Sequence, residues 1–418
     1  MAAALAVALM AGQGAARRPA AAATAGAKGF LAPAAAELGC GDTVADAPPP
    51  SFPDEPRCGL FPDWRESPAA LAIEPLYTGE VLSNTRGGLT TRQGARFGAL
   101  LDVAVSADLT RLQSPLPGKA FLLAQNTHGR GITQGIVGDS LVVSDIDSLG
   151  NLTQVGEYWW EWTPSDGPLM LRLGKQDLNT EFVNIDAAST FIQASFELTP
   201  AAVVPSYPNQ AMALVAVLQV ASSLQLKLGA WDALAPKGGW GIAEDGALLG
   251  IAELEYKYLL GRDELPGTIG ASIAHLGADE VDGEPFGAVT ATAFQCEQVV
   301  VRLPRAGSDP MEIALFAAVY PRFRQAAVLT KAIGDSAVAG VVARGFLPSR
   351  SQDACGAGVS WAELSKGGTN QELVTELFYR LQHTPRIAWQ PDLQYIASPS
   401  GLYRDALVAG VRLEVGGP

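Results

Sequence analysis

At 418 residues the chain has room for two soluble domains or one large closed barrel, and its formal charge of −14 excludes the basic footprint that nucleic-acid binding requires. Hydrophobic residues make up 48% of it, yet no stretch approaches the roughly 20 consecutive apolar residues of a spanning helix. Charged residues are only 17%, with 45 Gly and 28 Pro, which suits many short strands and turns better than long surface helices. A chain of this kind enters a membrane as a barrel, because an open sheet edge in lipid leaves backbone groups unpaired.

Residues Met1 to Ala16 are small and apolar, and an export signal is expected over 1–24. The basic n-region is missing; Arg17 and Arg18 follow the apolar run, so this is not a twin-arginine signal. An Ala-rich low-complexity linker is the other reading of the same residues. A Pro/Gly-rich periplasmic extension is expected over 25–76, with a helix-compatible stretch around Trp64 to Ile73. The four cysteines, Cys40, Cys58, Cys296 and Cys355, form no C-x-x-C pair, so no zinc site is expected, nor any other metal or cofactor. An even count in an exported protein allows two disulfides. Cys40 with Cys58 brackets a Pro-rich segment and is the pairing expected; Cys296 and Cys355 stay open between a second bridge and free thiols on strands.

From Tyr77 onward, over 77–418, segments of about ten alternating residues recur between Gly, Pro, Asp and Asn, the per-segment signature of membrane barrels. Phe97, Ala99, Leu101, Val103 and Val105 share one face, with Arg96, Gly98, Asp102 and Ser106 on the other. Glu157, Trp159 and Glu161 oppose Tyr158, Trp160 and Trp162; after the break at Pro164 to Pro168, Leu169, Leu171 and Leu173 oppose Met170, Arg172, Gly174 and Gln176. The same division separates Leu226 from Lys227, Tyr256 from Glu253 and Glu255, Leu377 from Arg380, and Val411 and Leu413 from Arg412. Charges in a dry soluble core would each need a partner at several kcal/mol. A water-filled lumen accepts them, so the polar face is placed inside. About 340 residues at roughly 21 per strand and turn give about sixteen strands: an all-β, closed antiparallel transmembrane barrel with a short N-terminal extension.

Twelve runs, in order, carry a family likeness. They are GGL (Gly87 to Leu89), QNTHGRG (Gln125 to Gly131), VGD (Val137 to Asp139), EYWWEW (Glu157 to Trp162), LRLGKQDLNTEF (Leu171 to Phe182) and FIQASF (Phe191 to Phe196). After them come YP at Tyr207, LQLKLGAWDA from Leu224, AELEYKY from Ala252, LPGTIGAS from Leu265, GFLPSR from Gly345 and WQPDLQYIASP from Trp389. Together, over Thr78 to Leu413, they resemble the carbohydrate-selective porins of the OprB type. The resemblance implies an outer-membrane barrel of a Gram-negative-type cell, embedded in lipid, monomeric or homotrimeric, that passes mono- or oligosaccharides by passive diffusion. Two departures stand out: the chain ends Val415, Gly416, Gly417, Pro418 rather than on an aromatic residue, and Ala326 to Val342 is poor in aromatics and charges.

A sugar pore needs a constriction with polar partners for hydroxyls and aromatic faces for pyranose rings. The pore-lining candidates by parity are Arg96, Asp102, Glu157, Trp159, Glu161, Arg172, Gln176, Lys227, Trp231, Glu253, Glu255, Arg380, Gln394 and Arg412, with opposed Arg and Glu rows expected to set up a transverse field. Where strands give way to loops, Asn126, His128, Arg130, Asp177, Asn179 and Glu181 are the constriction candidates; the same residue types also serve ordinary turns. Trp160, Trp162, Tyr256, Tyr258, Tyr379 and Tyr395 read as an interfacial girdle. An enzyme is not expected: none of the three histidines, His128, His275 and His383, lies in a motif that pairs a base with a nucleophile. A porin preferring cations or other small polar solutes, and a soluble β-rich sugar-binding protein, are the competing readings.

Overall fold

The computed structural model describes residues 69–147, 150–164, 167–197, 205–233, 235–243, 246–277, 279–281, 284–286, 288–305, 308–321, 333–364 and 368–416. The expected export signal, the extension before residue 69 and the Cys40 to Cys58 bridge lie outside the described residues. Sixteen strands close into one antiparallel barrel. In chain order they begin β1 (Leu71–Gly88), β2 (Ala95–Asp108), β3 (Lys119–Gly129), β4 (Leu152–Trp162), β5 (Leu169–Gln176), β6 (Ala211–Ala221), β7 (Leu224–Asp232), β8 (Leu248–Leu260) and β9 (Leu265–Leu276). A small separate hairpin follows, β10 (Asp279–Val281) and β11 (Glu284–Phe286). The barrel resumes with β12 (Val289–Arg305), β13 (Ser308–Tyr320), β14 (Ile333–Arg344), β15 (Ala354–Leu364), β16 (Gln371–Thr384), β17 (Ile387–Ala397) and β18 (Arg404–Gly416). The first strand pairs with the last, Glu80 standing opposite Arg412, and this seam leaves the sheet without an edge.

The barrel starts at Leu71, earlier than the expected Tyr77, and residues 71–73 are strand rather than helix. Their pairing with Val105 to Ala107 of β2 outweighs a helical propensity that is weak in so short a run. The longest connections, residues 130–151, 177–210 and 233–247, share one end of the barrel, and the shortest, residues 222–223, 261–264 and 385–386, share the other, together with 109–118 and 345–353. Membrane barrels place short turns on the periplasmic side and long loops outside. Among the described residues no helix is long and apolar enough to cross a membrane.

The alternation sorts as parity demands. Leu173, Leu214, Tyr256, Ile273, Phe294 and Leu377 are each 46–53% exposed on the outer wall, whereas Arg172, Glu253 and Arg412 are at most 2% exposed inside. A soluble sandwich would do the reverse, so this orientation excludes it. Cys296 on β12 and Cys355 on β15 are free thiols on the outer face. With β13 and β14 between them they are separated by at least three strand spacings, about 14 Å, which removes the second bridge and leaves the free-thiol reading.

The largest apolar cluster lies inside the barrel, where the 177–210 connection folds inward along the wall. Phe191 stacks on Phe196 at 4.3 Å and meets Phe378 of β16 edge-on at 4.8 Å and Phe316 of β13 at 5.6 Å. Gly358 of β15 makes the room: a Cβ there would stand 2.5 Å from Phe196 and 2.8 Å from Phe191. Phe182 of the same connection packs edge-on against Trp231 at 5.5 Å.

Candidate permeation site

All fourteen pore-lining candidates occupy the inner face by strand parity, and seven of them, on β4, β5, β7 and β8, join into one charged surface. Arg172 donates to Glu161 at 2.6 Å and to Glu181 at 3.2 Å, and its guanidinium lies 4.6 Å over the Trp159 ring. The other structural partner of Trp159 is Phe121, stacked at 4.8 Å, and the indole Nε1 donates to Glu157 at 3.1 Å. Lys227 donates to Glu253 at 3.2 Å, to Glu255 at 2.7 Å and to the main-chain oxygen of Glu181 at 2.9 Å. Glu181, carried inward by the 177–210 connection, therefore links two ion clusters. In a low-dielectric wall each such charge holds only because its opposite lies within hydrogen-bond reach.

Elsewhere the same economy recurs. Arg412 pairs with Glu80 and with Asp145 of the 130–151 connection, and Arg380 pairs with Glu414. The expectation of opposed Arg and Glu rows is corrected: unlike charges pair locally, leaving clusters in which carboxylates outnumber cations instead of two facing sheets of charge. Asp102 is 1% exposed and accepts from Gln125 at 3.0 Å, and Gln176 is tied to the Ala213 carbonyl at 3.3 Å.

Trp159 and Trp231 do not line an open passage either. Trp231 is fully buried, its Nε1 donating to the Gln176 carbonyl at 3.3 Å, and Trp159 is 7% exposed between Phe121 and Arg172. These two tryptophans pack the wall, which corrects the expectation that they offer stacking surface to a pyranose.

Inward carboxylates instead do something that parity could not reveal: they hold the backbone of the inward connections. Glu253 accepts from the Val183 amide at 2.8 Å, Glu297 from Ala187 at 2.8 Å, and Glu376 from Ile192 at 2.7 Å and Gln193 at 3.0 Å. Glu372 accepts from the amides of Ser140 at 2.9 Å, Leu141 at 2.9 Å and Ser400 at 2.5 Å. Amide side chains complete the grip from their donor ends: Gln295 to Asn184 O, Gln390 to Thr190 O and Gln394 to Val143 O, at 3.0, 2.8 and 3.0 Å. The inner wall is thus not merely bathed by water, as the sequence reading had it; charge-assisted bonds there fix the constriction. Glu80, Asp145, Glu297, Glu372 and Glu376 were not among the candidates. Parity marks the four strand residues as inward, but nothing local marks their partners.

The loop candidates divide. Glu181 belongs to the site. Asp177 closes the base of its connection, accepting from the amides of Asn179 at 2.8 Å and Tyr207 at 2.7 Å and from the Ser206 hydroxyl at 3.2 Å. Burial pushes its carboxyl up to about 6 against those bonds, which pull it down. Asn179 is 8% exposed and sealed from the passage. Arg130, exposed, and Arg96, bonded to the Ala95 carbonyl at 3.0 Å, stand at the mouth. Asn126 and His128 are corrected outright: both lie on the outer face, His128 against Tyr77 (3.3 Å) and Asn126 bonded to Thr153 at 2.6 Å. Strand β3 runs on to Gly129, so the sheet keeps these residues and its parity turns them to the outside.

A closed sixteen-stranded barrel with a greasy outer wall, a charged inner face and a connection folded inside defines the molecule as a porin-type channel. The sequence profile of the carbohydrate-selective porin, OprB family, matches residues 92–282 and 286–416, and the chain belongs to that family. Porin B of Pseudomonas aeruginosa is 21% identical over 394 residues, covering 81% of this chain and 86% of that one. The high-pH structure of Pseudomonas putida OprB superposes with a TM-score of 0.69 at 17% identity, over 83% of this chain and 94% of the other. Its low-pH structure gives 0.54 at 16% identity over 83% and 93%. The chain is an outer-membrane porin for carbohydrates, and membership of that family implies a channel.

Proposed function

We propose that small neutral sugars pass between the 177–210 connection and the wall carrying Glu161, Arg172 and Lys227, and that this surface is where they exchange water for protein. One observation carries the reading. Within the joined ion clusters, the side chains of Glu161, Glu181 and Glu255 keep 14%, 15% and 11% of their surface accessible, and Lys257 beside them keeps 45%. Vicinal hydroxyls fit such groups, donating to a carboxylate and accepting from an ammonium or guanidinium. Carboxylates outnumber cations there, Glu161, Glu181, Glu253 and Glu255 against Arg172, Lys227 and Lys257, so an anion is repelled, while a neutral polyol adds hydrogen bonds without breaking an ion pair. The lumen is complete within one chain, which suits a monomer; a homotrimer would present the same site three times.

The second reading is a preference for cations, favoured by the formal charge of −14. Planar-bilayer recordings separate the two. Added glucose or maltodextrins should reduce single-channel current in a saturable way. Current indifferent to both, together with strong cation selectivity, would retire the sugar reading.

A further inference from the structure

On the outer wall, near the end with long loops, a lysine faces where lipid should be. Lys175 shares the outward face of β5 with Leu171 and Leu173, yet it is only 1% exposed. It is covered by residues 236–242 of the β7 to β8 connection, which turn outward and lie back over β4, β5 and β6. The Lys175 ammonium donates to the Gly239 carbonyl at 2.8 Å and to Val155 O at 2.6 Å. The Met212 amide donates to Gly241 O at 2.7 Å, and the Tyr158 hydroxyl donates to Trp240 O at 2.7 Å. Gly241, with φ +83°, allows the close approach: a Cβ there would stand 2.9 Å from the Lys175 side chain. Fastened this way, the segment presents Trp240 at 71% exposure and Ile242 at 62%.

The rest of the wall shows what such a ledge is for. At the long-loop end, outward aromatics stand on β2 (Phe97), β12 (Phe294), β15 (Trp361) and β17 (Tyr395). From β5 to β9 the strands offer no Phe, Tyr or Trp there; the outward positions hold Lys175, Met212, Leu214, Ala230, Asp232, Leu248, Ile273 and His275. Amphipathic rings belong where hydrocarbon meets headgroups. An ammonium facing that layer needs carbonyl partners, which water would supply free of structure if the region were aqueous.

We propose that residues 236–242 form a lipid-docking strap, latched by Lys175, whose Trp240 and Ile242 enter the boundary between headgroups and acyl chains and complete the aromatic girdle over β5 to β9. The lipid-facing wall directly below is continuous with it through Leu173 and Leu214, 51% and 53% exposed.

Full-length protein is placed in phosphatidylcholine vesicles whose acyl chains carry bromine near the glycerol, and Trp fluorescence of wild type is compared with Trp240→Phe. The component that the substitution removes should lose most of its intensity to brominated lipid and little to aqueous iodide. Quenching by iodide and not by bromine would overturn the proposal, as would shielding from both, which would place Trp240 in a contact between protein copies. Lys175→Met should shift the Trp240 component from bromine toward iodide while the barrel keeps its heat-shifted gel mobility. An unchanged component in that variant would sink the latch.

Discussion

Arg412 and Glu80 face each other across the seam where the last strand meets the first, Nη2 to Oε2 at 2.8 Å, and the same guanidinium reaches Asp145 of the 130–151 connection, Nη1 to Oδ2 at 3.1 Å. One cation thus closes the barrel and moors a loop. Arg412→Met should leave two buried carboxylates uncompensated and cost about 3–5 kcal/mol. Unfolding temperature on semi-native gels reads this, and the loss should shrink when Glu80→Gln and Asp145→Asn are added.

Glu376 holds two successive amides of the inward connection. Glu376→Ala should strand both N–H groups at about 1–3 kcal/mol each. The observable is electrical: single-channel conductance should rise and its noise increase, since the connection is freed over β15 to β17. Conductance identical to wild type would show that the grip on Ile192 and Gln193 is dispensable.

Phe191 sits among three other rings inside the lumen. Phe191→Ala should destabilise by about 3–5 kcal/mol, because Gly358 and its neighbours cannot collapse onto the cavity. Phe191→Leu should recover most of that loss. Thermal midpoints of the two variants in detergent decide it.

Asp177 supplies a pH dependence. Its folded pKa of about 6 lies above the usual carboxylate value, so the protonated form fits the fold better. The associated stability is fully present below the ordinary carboxylate range and is lost as pH rises through about 6. Protease nicking in the 177–210 connection should therefore increase between about pH 4 and pH 6 and level off above it. Asp177→Asn should flatten that dependence.

Glu181→Gln should weaken sugar-induced current block by roughly tenfold, the equivalent of about 1.4 kcal/mol, while leaving the gel mobility of the folded barrel unchanged. Arg172→Lys tests the geometry of the same cluster: a lysine keeps the charge but cannot fork to Glu161 and Glu181 while lying over Trp159. Block reduced in both variants places the sugar at this cluster.

Strand parity made much of this readable in the sequence. Arg172 between Leu171 and Leu173, or Arg412 between Val411 and Leu413, carries its orientation in its neighbours, although the bulge at Gly156 shifts the two-residue period by one, so that Gln154 and Glu157 both face inward. Two things were not readable. Asn126 and His128 have turn composition, yet pairing with Leu101 and Ala99 keeps them in the sheet and sends them outward. The moorings were hidden for a different reason: Glu376 binds an amide 184 residues away, and no local pattern encodes a contact of that range. The same distance problem hid Trp240, whose placement depends on a lysine far earlier in the chain.

Glu253, Glu297 and Glu376 clasp peptide N–H groups, which every residue except proline supplies. The mooring is therefore indifferent to which side chains the connection bears. Substitutions at Asn184 or Asp186 could redraw the aperture for a different solute while the clasps stay engaged, so this architecture lets substrate preference drift over evolutionary time without the barrel having to be rebuilt around each new sequence.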